Sequence, residues 1–173
     1  MRLSISSTST RTFVVIPAVV MVEQLVSRRK LHLKFAPLLL WGYLQYRLSG
    51  DYRSKVAGGP SGMSQGFPEG IVTTGIYGWT RNPMYLGHMI FLGGLTLLTR
   101  SPIALAAISA VIPWYNERVK KDEERLVKKF GPVYEQYRDS VPRWIAIPEQ
   151  LRHVIARSKP SSRGSDRAGA IAG

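Results

Sequence analysis

Three groups of side chains in this chain have the types and spacing to do chemistry. The first is the stretch Gly75 to His88, GIYGWTRNPMYLGH, in which a glycine turn, aromatics, an arginine and an Arg81-Asn82-Pro83 step stand at the mouth of an apolar run. Pro83 steers Asn82 away from helical geometry and suits the first turn of a helix, so a helix is expected to start there with Arg81 just outside it. The first-turn amides beyond Pro83 have no intrahelical acceptor and carry positive partial charge, which suits an anionic or carbonyl group of a ligand. The second group is Arg118, Asp122 and Glu123. Arg118 and Asp122 are four residues apart on an expected helix and share a face. On spacing alone they form a solvated ion pair worth a few tenths of a kcal/mol. The third is His88, an ionisable group inside an apolar helix; a polar partner on a neighbouring helix is the expectation, with a base or metal ligand as the alternative.

Four apolar segments must position these groups: Thr12 to about Val26, Phe35 to Leu48, Met84 to Thr99 and Pro102 to Tyr115. The first contains Pro17, Glu23 and Gln24 and is short for a membrane span; the second carries Trp41, Tyr43 and Tyr46, aromatics suited to an interface. Only Arg100 and Ser101 separate the third from the fourth, so these two form an antiparallel hairpin. Gly93 and Gly94 are read as close-packing positions and Gly87 as room for a ligand. Tyr115 to Phe130 has the periodicity of a helix that leaves the bilayer, Gly131-Pro132 ends it, and Val133 to Tyr137 begins a short aromatic helix. The expected fold is therefore all-α, a polytopic membrane bundle with a C-terminal helical hairpin and a cytoplasmic helical extension.

The organisation expected is residues 1–48 as N-terminal hydrophobic helices, 49–70 as a Gly/Pro-rich loop, 71–150 as the functional core and 151–173 as a basic disordered tail. The loop contains Gly58-Gly59-Pro60-Ser61-Gly62 and lacks the Lys-Ser/Thr ending of a phosphate-binding loop, so linker or lid is preferred to a phosphate site. Residues 1–11 have a transit-peptide-like composition, but no small-residue cleavage pattern follows, and a retained helix is preferred.

Lys and Arg number 24 against 11 Asp and Glu, a formal net charge of +13 that calls for an anionic partner. The bases crowd the ends of apolar runs, and 13 of the 24 follow Val119's neighbour Arg118 inclusive, which favours a bilayer surface over nucleic acid and puts the C-terminal side in the cytoplasm. The absence of cysteine excludes disulfides, thiolate metal sites and a cysteine nucleophile. No Gly-x-Gly-x-x-Gly turn follows a strand pattern, which argues against a soluble Rossmann-type enzyme.

Val72-Thr73-Thr74-Gly75-Ile76-Tyr77, then Arg81-Asn82-Pro83-Met84-Tyr85-Leu86-Gly87, then Asp122-Glu123 with Leu126, Phe130-Gly131, Tyr134, Tyr137 and Val141-Pro142-Arg143 resemble the isoprenylcysteine carboxyl methyltransferase and phospholipid methyltransferase family, over roughly residues 69 to 145. The resemblance implies an integral membrane enzyme using S-adenosylmethionine, with no metal and no nucleic acid, acting on a lipid-like or carboxylate-bearing small acceptor. It implies that Ile71, Val72, Tyr77, Arg81, Asn82, Pro83, Met84, Tyr85 and Gly87 hold the cofactor together with Asp122 or Glu123. Arg118 falls on the family's basic position, as a catalytic and acceptor-binding residue, with Glu123 beside it. The family usually shows two glutamates where Asp122-Glu123 stands, so which acid makes the contact is left open. The competing readings are a membrane reductase using a nicotinamide cofactor, and a non-catalytic basic protein that binds membranes or nucleic acid.

Overall fold

The structure, a computed structural model, describes residues 7–59 and 68–145, and all of its regular structure there is helical. Expectations for residues 1–6, 60–67 and 146–173, including the central glycine-rich residues and the C-terminal tail, lie outside the described residues.

Among the described residues five helices follow in order. Helix α1, Thr8–Ser27, runs through a π-helical turn at Arg11–Val15 and is longer than the apolar segment read from sequence. Helix α2 is Ala36–Ala57, α3 is Pro83–Thr99, α4 is Pro102–Phe130 and α5 is Pro132–Ser140. Short 3-10 turns, Leu33–Phe35 and Gly75–Gly78, introduce α2 and precede α3.

Two expected boundaries move. Residues 49–57 are not loop: α2 continues to Ala57, and the chain breaks only at Gly58, whose φ is +71°. Ser49 and Gly50 are buried on the packed side of α2, the Ser49 hydroxyl donates to the Gln45 carbonyl (2.5 Å), and Arg47 pairs with Asp51 one turn on (3.4 Å). Polar composition therefore marked a site-facing helix, not a linker. The fourth apolar segment and the exiting helix are likewise one continuous helix, α4, with Pro113 inside it. Proline removes one hydrogen bond to the preceding turn, a loss that a 29-residue helix tolerates here.

Helices α2 and α3 form the tightest pair, and glycine makes the approach possible. A Cβ at Gly42 would meet the Phe91 amide nitrogen at 2.5 Å, and one at Gly87 would meet the Gly42 carbonyl at 2.7 Å. Gly87 therefore makes room for a helix backbone and not for a ligand, which corrects the expectation for that residue. Gly94 is also a close-packing position, with Leu38 Cβ at 2.8 Å from its added Cβ, whereas at Gly93 the nearest atom is 3.8 Å away and nothing demands glycine.

The end of the bundle remote from the Gly75 to His88 stretch is tied by polar groups that looked out of place in the first apolar segment. Ser101 donates to the Glu23 carboxylate, which also pairs with Arg29 (3.4 Å), and Gln24 donates to the Thr99 carbonyl (3.3 Å). The α3–α4 turn closes with Arg100 at φ +48° and Ser101 capping α4 by accepting from the Ala104 amide. Between the two ends lies the apolar core of Val20, Leu92, Leu95 and Ala104, with Leu39, Phe91 and Ile108 against it.

Candidate functional site

At the other end of the bundle the helices splay around a cavity of about 700 Å³. Drug-sized ligands commonly occupy cavities of about 300 to 1,000 Å³. Its wall brings together segments far apart in sequence: Ser7 to Ser9 and Arg11 from α1, Tyr46 and Arg53 from α2, Ile71 and Val72 from the connecting segment, Tyr77, Arg81 to Tyr85 and His88, then Trp114, Arg118, Asp122, Arg125 and Leu126 from α4, and Tyr134 and Tyr137 from α5.

The segment before α3 is held rigidly against this wall. Gly75 takes φ +59° with Tyr52 packed over it, and the Tyr52 hydroxyl shares a hydrogen bond with Thr74 (2.7 Å). The Tyr77 hydroxyl donates to the Ser49 carbonyl (3.3 Å), and the Tyr77 carbonyl accepts from Tyr137 (2.7 Å). Burial pushes the Tyr77 and Tyr134 hydroxyls up to about 12. Asn82 sits at φ −129°, ψ 51°, outside helical geometry as Pro83 requires, and α3 begins at Pro83.

The two neighbouring acids divide. Glu123 is 5% exposed and belongs to an ion cluster: Arg143 donates from Nη2 (2.7 Å) and Nε (3.2 Å), Arg81 Nη2 lies at 3.4 Å, and Asn82 Nδ2 donates at 3.4 Å. These hydrogen bonds hold the Arg143 guanidinium above its ordinary pKa. Glu123 is not among the residues bordering the cavity. Asp122 is, and it accepts from the Tyr85 hydroxyl (3.1 Å) while pairing loosely with Arg118 (3.6 Å) and Arg125 (3.4 Å). One residue along α4 turns the side chain by about 100°. Asp122 therefore reaches the cavity and Glu123 reaches the closing segment, where the Arg81 amide donates to the Pro142 carbonyl (3.0 Å) and Thr80 and Asn82 both donate to the Arg143 carbonyl.

Of the residues named from sequence, Ile71, Val72, Tyr77, Arg81, Asn82, Pro83, Met84, Tyr85, Arg118 and Asp122 border the cavity; Gly87 and Glu123 do not. Arg81 is the most informative. Its side chain is 8% exposed, one nitrogen faces Glu123, and among the described residues Nε and Nη1 have no hydrogen-bond partner. His88 also borders the cavity, but among the described residues neither ring nitrogen has a partner, which corrects the expectation that a neighbouring helix satisfies it. Sequence reasoning missed Arg11, Arg53 and Arg125. Arg53 lay in the stretch read as loop; Arg125, three residues from Asp122, had a helical-spacing signal. Among the described residues no group of His, Asp and Glu has the arrangement to hold a metal ion.

A helical bundle with a ligand-sized, arginine-rich cavity at one end, built from a Pro-initiated helix and an acid-bearing helix, is the class of protein that these features define. The phospholipid methyltransferase family model matches residues 55–133. A protein-S-isoprenylcysteine O-methyltransferase of Schizosaccharomyces pombe is 36% identical over 78 residues, covering 44% of this chain and 33% of the relative. The Saccharomyces cerevisiae protein of the same name is 32% identical over 72 residues, 41% and 30% of the two chains. Protein-S-isoprenylcysteine O-methyltransferase B of Arabidopsis thaliana is 35% identical over 74 residues, 42% and 37%. No solved structure matches the chain. The chain is thus similar to the phospholipid methyltransferase family over residues 55–133, the stretch that holds most of the motifs on which the resemblance was read. It spans about a third of the length of these curated relatives.

Proposed function

We propose that this protein is a membrane-embedded methyltransferase that uses S-adenosylmethionine and acts on a lipid-like or carboxylate-bearing acceptor. The observation that carries the reading is the convergence on one cavity of the Arg81 to Tyr85 block with Arg118 and Asp122, residues far apart in the sequence.

The residues present fit the cofactor. Buried Nε and Nη1 of Arg81 lack partners among the described residues, which suits a carboxylate such as that of a methionine tail. The first-turn amides of α3 point the same electrostatic way. Asp122 supplies an acceptor for a hydroxyl or ammonium group, and Val72, Pro83, Met84 and Tyr134 supply apolar and aromatic walls suited to an adenosine. When bound, the cofactor supplies a methyl group already activated on a sulfonium, so the protein needs little acid or base machinery. What the chain contributes is orientation and exclusion of water. Arg118, about half exposed at the cavity wall, has a planar fork that suits an anionic acceptor. Glu123 acts at one remove, by fixing Arg81 and the closing segment.

The membrane setting is supported by how the surfaces are distributed. Helix α1 is the one helix among the described residues long and apolar enough to cross a bilayer, and only 22% of its most apolar window is buried, which is not how a core helix of a soluble protein is treated. Leu25 and Val26 are 74% and 81% exposed, and Leu40, Trp41 and Leu48 on α2 also face outward, while Thr12, Gln45, Ser49 and His88 are buried. Apolar outside and polar inside suits lipid better than water. An acceptor carried in the bilayer would reach the cavity from the side. Calorimetry of the purified protein with S-adenosylmethionine, its demethylated product and NADPH tests the reading; heat with NADPH alone replaces it with a reductase.

A further inference from the structure

His88 is the group in the cavity that the proposed cofactor chemistry does not use. It lies one turn along α3 from Tyr85, borders the cavity and is 3% exposed. Its ring sits among Phe13, Tyr46, Tyr85 and Tyr115, with centroids 4.9, 4.8, 6.0 and 5.6 Å away. The three tyrosine hydroxyls are engaged elsewhere: Tyr46 with Ser9, Tyr85 with Asp122 and Tyr115 with Thr12. Among the described residues neither imidazole nitrogen has a partner. A neutral imidazole offers one donor and one acceptor, and burying both unpaired is costly. A residue wanted only for packing in this aromatic layer would be better as phenylalanine. The group that answers the imidazole therefore enters by the cavity.

We propose that this end of the cavity is a subsite for an uncharged hydroxyl on the methyl acceptor, with His88 as its positioning contact. The proposal rests on the methyltransferase reading only for calling the ligand an acceptor. The rings packed round the imidazole carry no charge, which suits an uncharged hydroxyl, and the two arginines that α4 gives the cavity lie further along that helix. Arg118 is three residues beyond Tyr115, about 4.5 Å along the helix axis, and Arg125 ten residues, about 15 Å. A hydroxyl also rotates to give to a bare ring nitrogen or accept from a protonated one, so it serves either tautomer. The acceptor class that follows is an amphiphile whose anionic group meets Arg118 while a hydroxyl reaches roughly one helical turn deeper.

The test uses full-length protein in detergent with nitrogen-15-labelled histidine, the His88 signals being identified among three histidines by their loss in His88→Phe. Decanol and decane are the probes. Decanol should shift the His88 ring-nitrogen resonances and decane should not. Decanol affinity should fall about fivefold in His88→Phe, the scale of one net hydrogen bond, and recover in part in His88→Gln. No shift with decanol, or equal shifts with both probes, overturns the proposal. So does an unchanged decanol affinity in His88→Phe, and where that variant does not fold the wild-type titration decides alone. Calorimetry with S-adenosylmethionine on the same wild-type sample reads the methyltransferase assignment separately: no heat there removes that assignment while the ring-nitrogen result still decides the subsite.

Discussion

Replacing each of the adjacent acids Asp122 and Glu123 by its amide should give opposite results. Glu123→Gln removes the charge from a carboxylate 5% exposed and leaves Arg143, which bonded it at 2.7 Å, and Arg81, at 3.4 Å, facing each other across a neutral amide. Breaking a buried ion pair by removing one partner costs about 3 to 5 kcal/mol. Two features place this case at the lower end: the Arg143 side chain keeps 32% of its surface in solvent, and glutamine retains one acceptor oxygen. A loss of about 3 kcal/mol is a large part of the 5 to 15 kcal/mol typical of a whole domain. At about 2 to 4 °C per kcal/mol for a chain of this size it lowers the melting temperature by roughly 6 to 12 °C. Asp122→Asn loses the partly exposed ion pairs with Arg118 and Arg125, worth about 1 kcal/mol or less to stability, and keeps an oxygen that can accept from the Tyr85 hydroxyl. It should instead weaken cofactor binding by about 1.5 to 3 kcal/mol, the range for a hydrogen bond to a charged group. Intrinsic tryptophan fluorescence during heating, with calorimetry at a temperature where both variants are folded, reads the two effects. A melting temperature within about 2 °C of wild type for Glu123→Gln, or a stability loss in Asp122→Asn larger than in Glu123→Gln, would refute the division of labour.

Gly87→Ala places a Cβ at 2.7 Å from the Gly42 carbonyl and should destabilise by about 1 to 3 kcal/mol, whereas Gly93→Ala, with its nearest neighbour at 3.8 Å, should be neutral or stabilising; parallel melting curves check both. Arg118→Ala should raise the acceptor's Michaelis constant or lower turnover with cofactor affinity near wild type, and Arg118→Lys should restore little, because the charge survives without the fork. Tyr77 and Tyr134 have folded-state pKa values raised from 10.0 to about 12, so the stability they contribute is complete below pH 10 and lost as pH climbs through about 12; tyrosinate absorbance followed together with helicity should show the helices melting in that window. In a chain without cysteine, a cysteine introduced at exposed Val133 should be shielded from an impermeant reagent outside intact cells, since 13 of the 24 bases lie from Arg118 onward; labelling there reverses the orientation.

The parts of this architecture set by local rules were legible before the structure. Pro83 after Asn82 fixed the start of α3, Arg100-Ser101 the hairpin, and Gly131-Pro132 the end of α4, because each acts through backbone sterics within a few residues. Residues 49–57 were misread because serine, glycine and charge lower helix propensity, and that propensity was overridden by contacts with the segment before α3: Ser49 with Tyr77, Tyr52 with Thr74 and Ala57 with the Gly70 amide. Gly87 shows a further limit: a glycine beside a ligand and a glycine beside a helix backbone look alike until the partner, here Gly42, is placed. The same holds for the acids. Spacing put Arg118 and Asp122 on one face, but only the position of Arg143, twenty residues downstream, shows that Glu123 is consumed by a structural cluster.

The central claim is that the cavity at Arg81, Tyr85, Arg118 and Asp122 binds S-adenosylmethionine, and the most direct measurement is titration calorimetry of the wild-type protein in detergent with that cofactor and, separately, with NADPH. Saturable heat with S-adenosylmethionine is expected, weakened at least about tenfold in Asp122→Asn, and none with NADPH. Heat with NADPH alone, or S-adenosylmethionine binding that Asp122→Asn leaves unchanged, would contradict it.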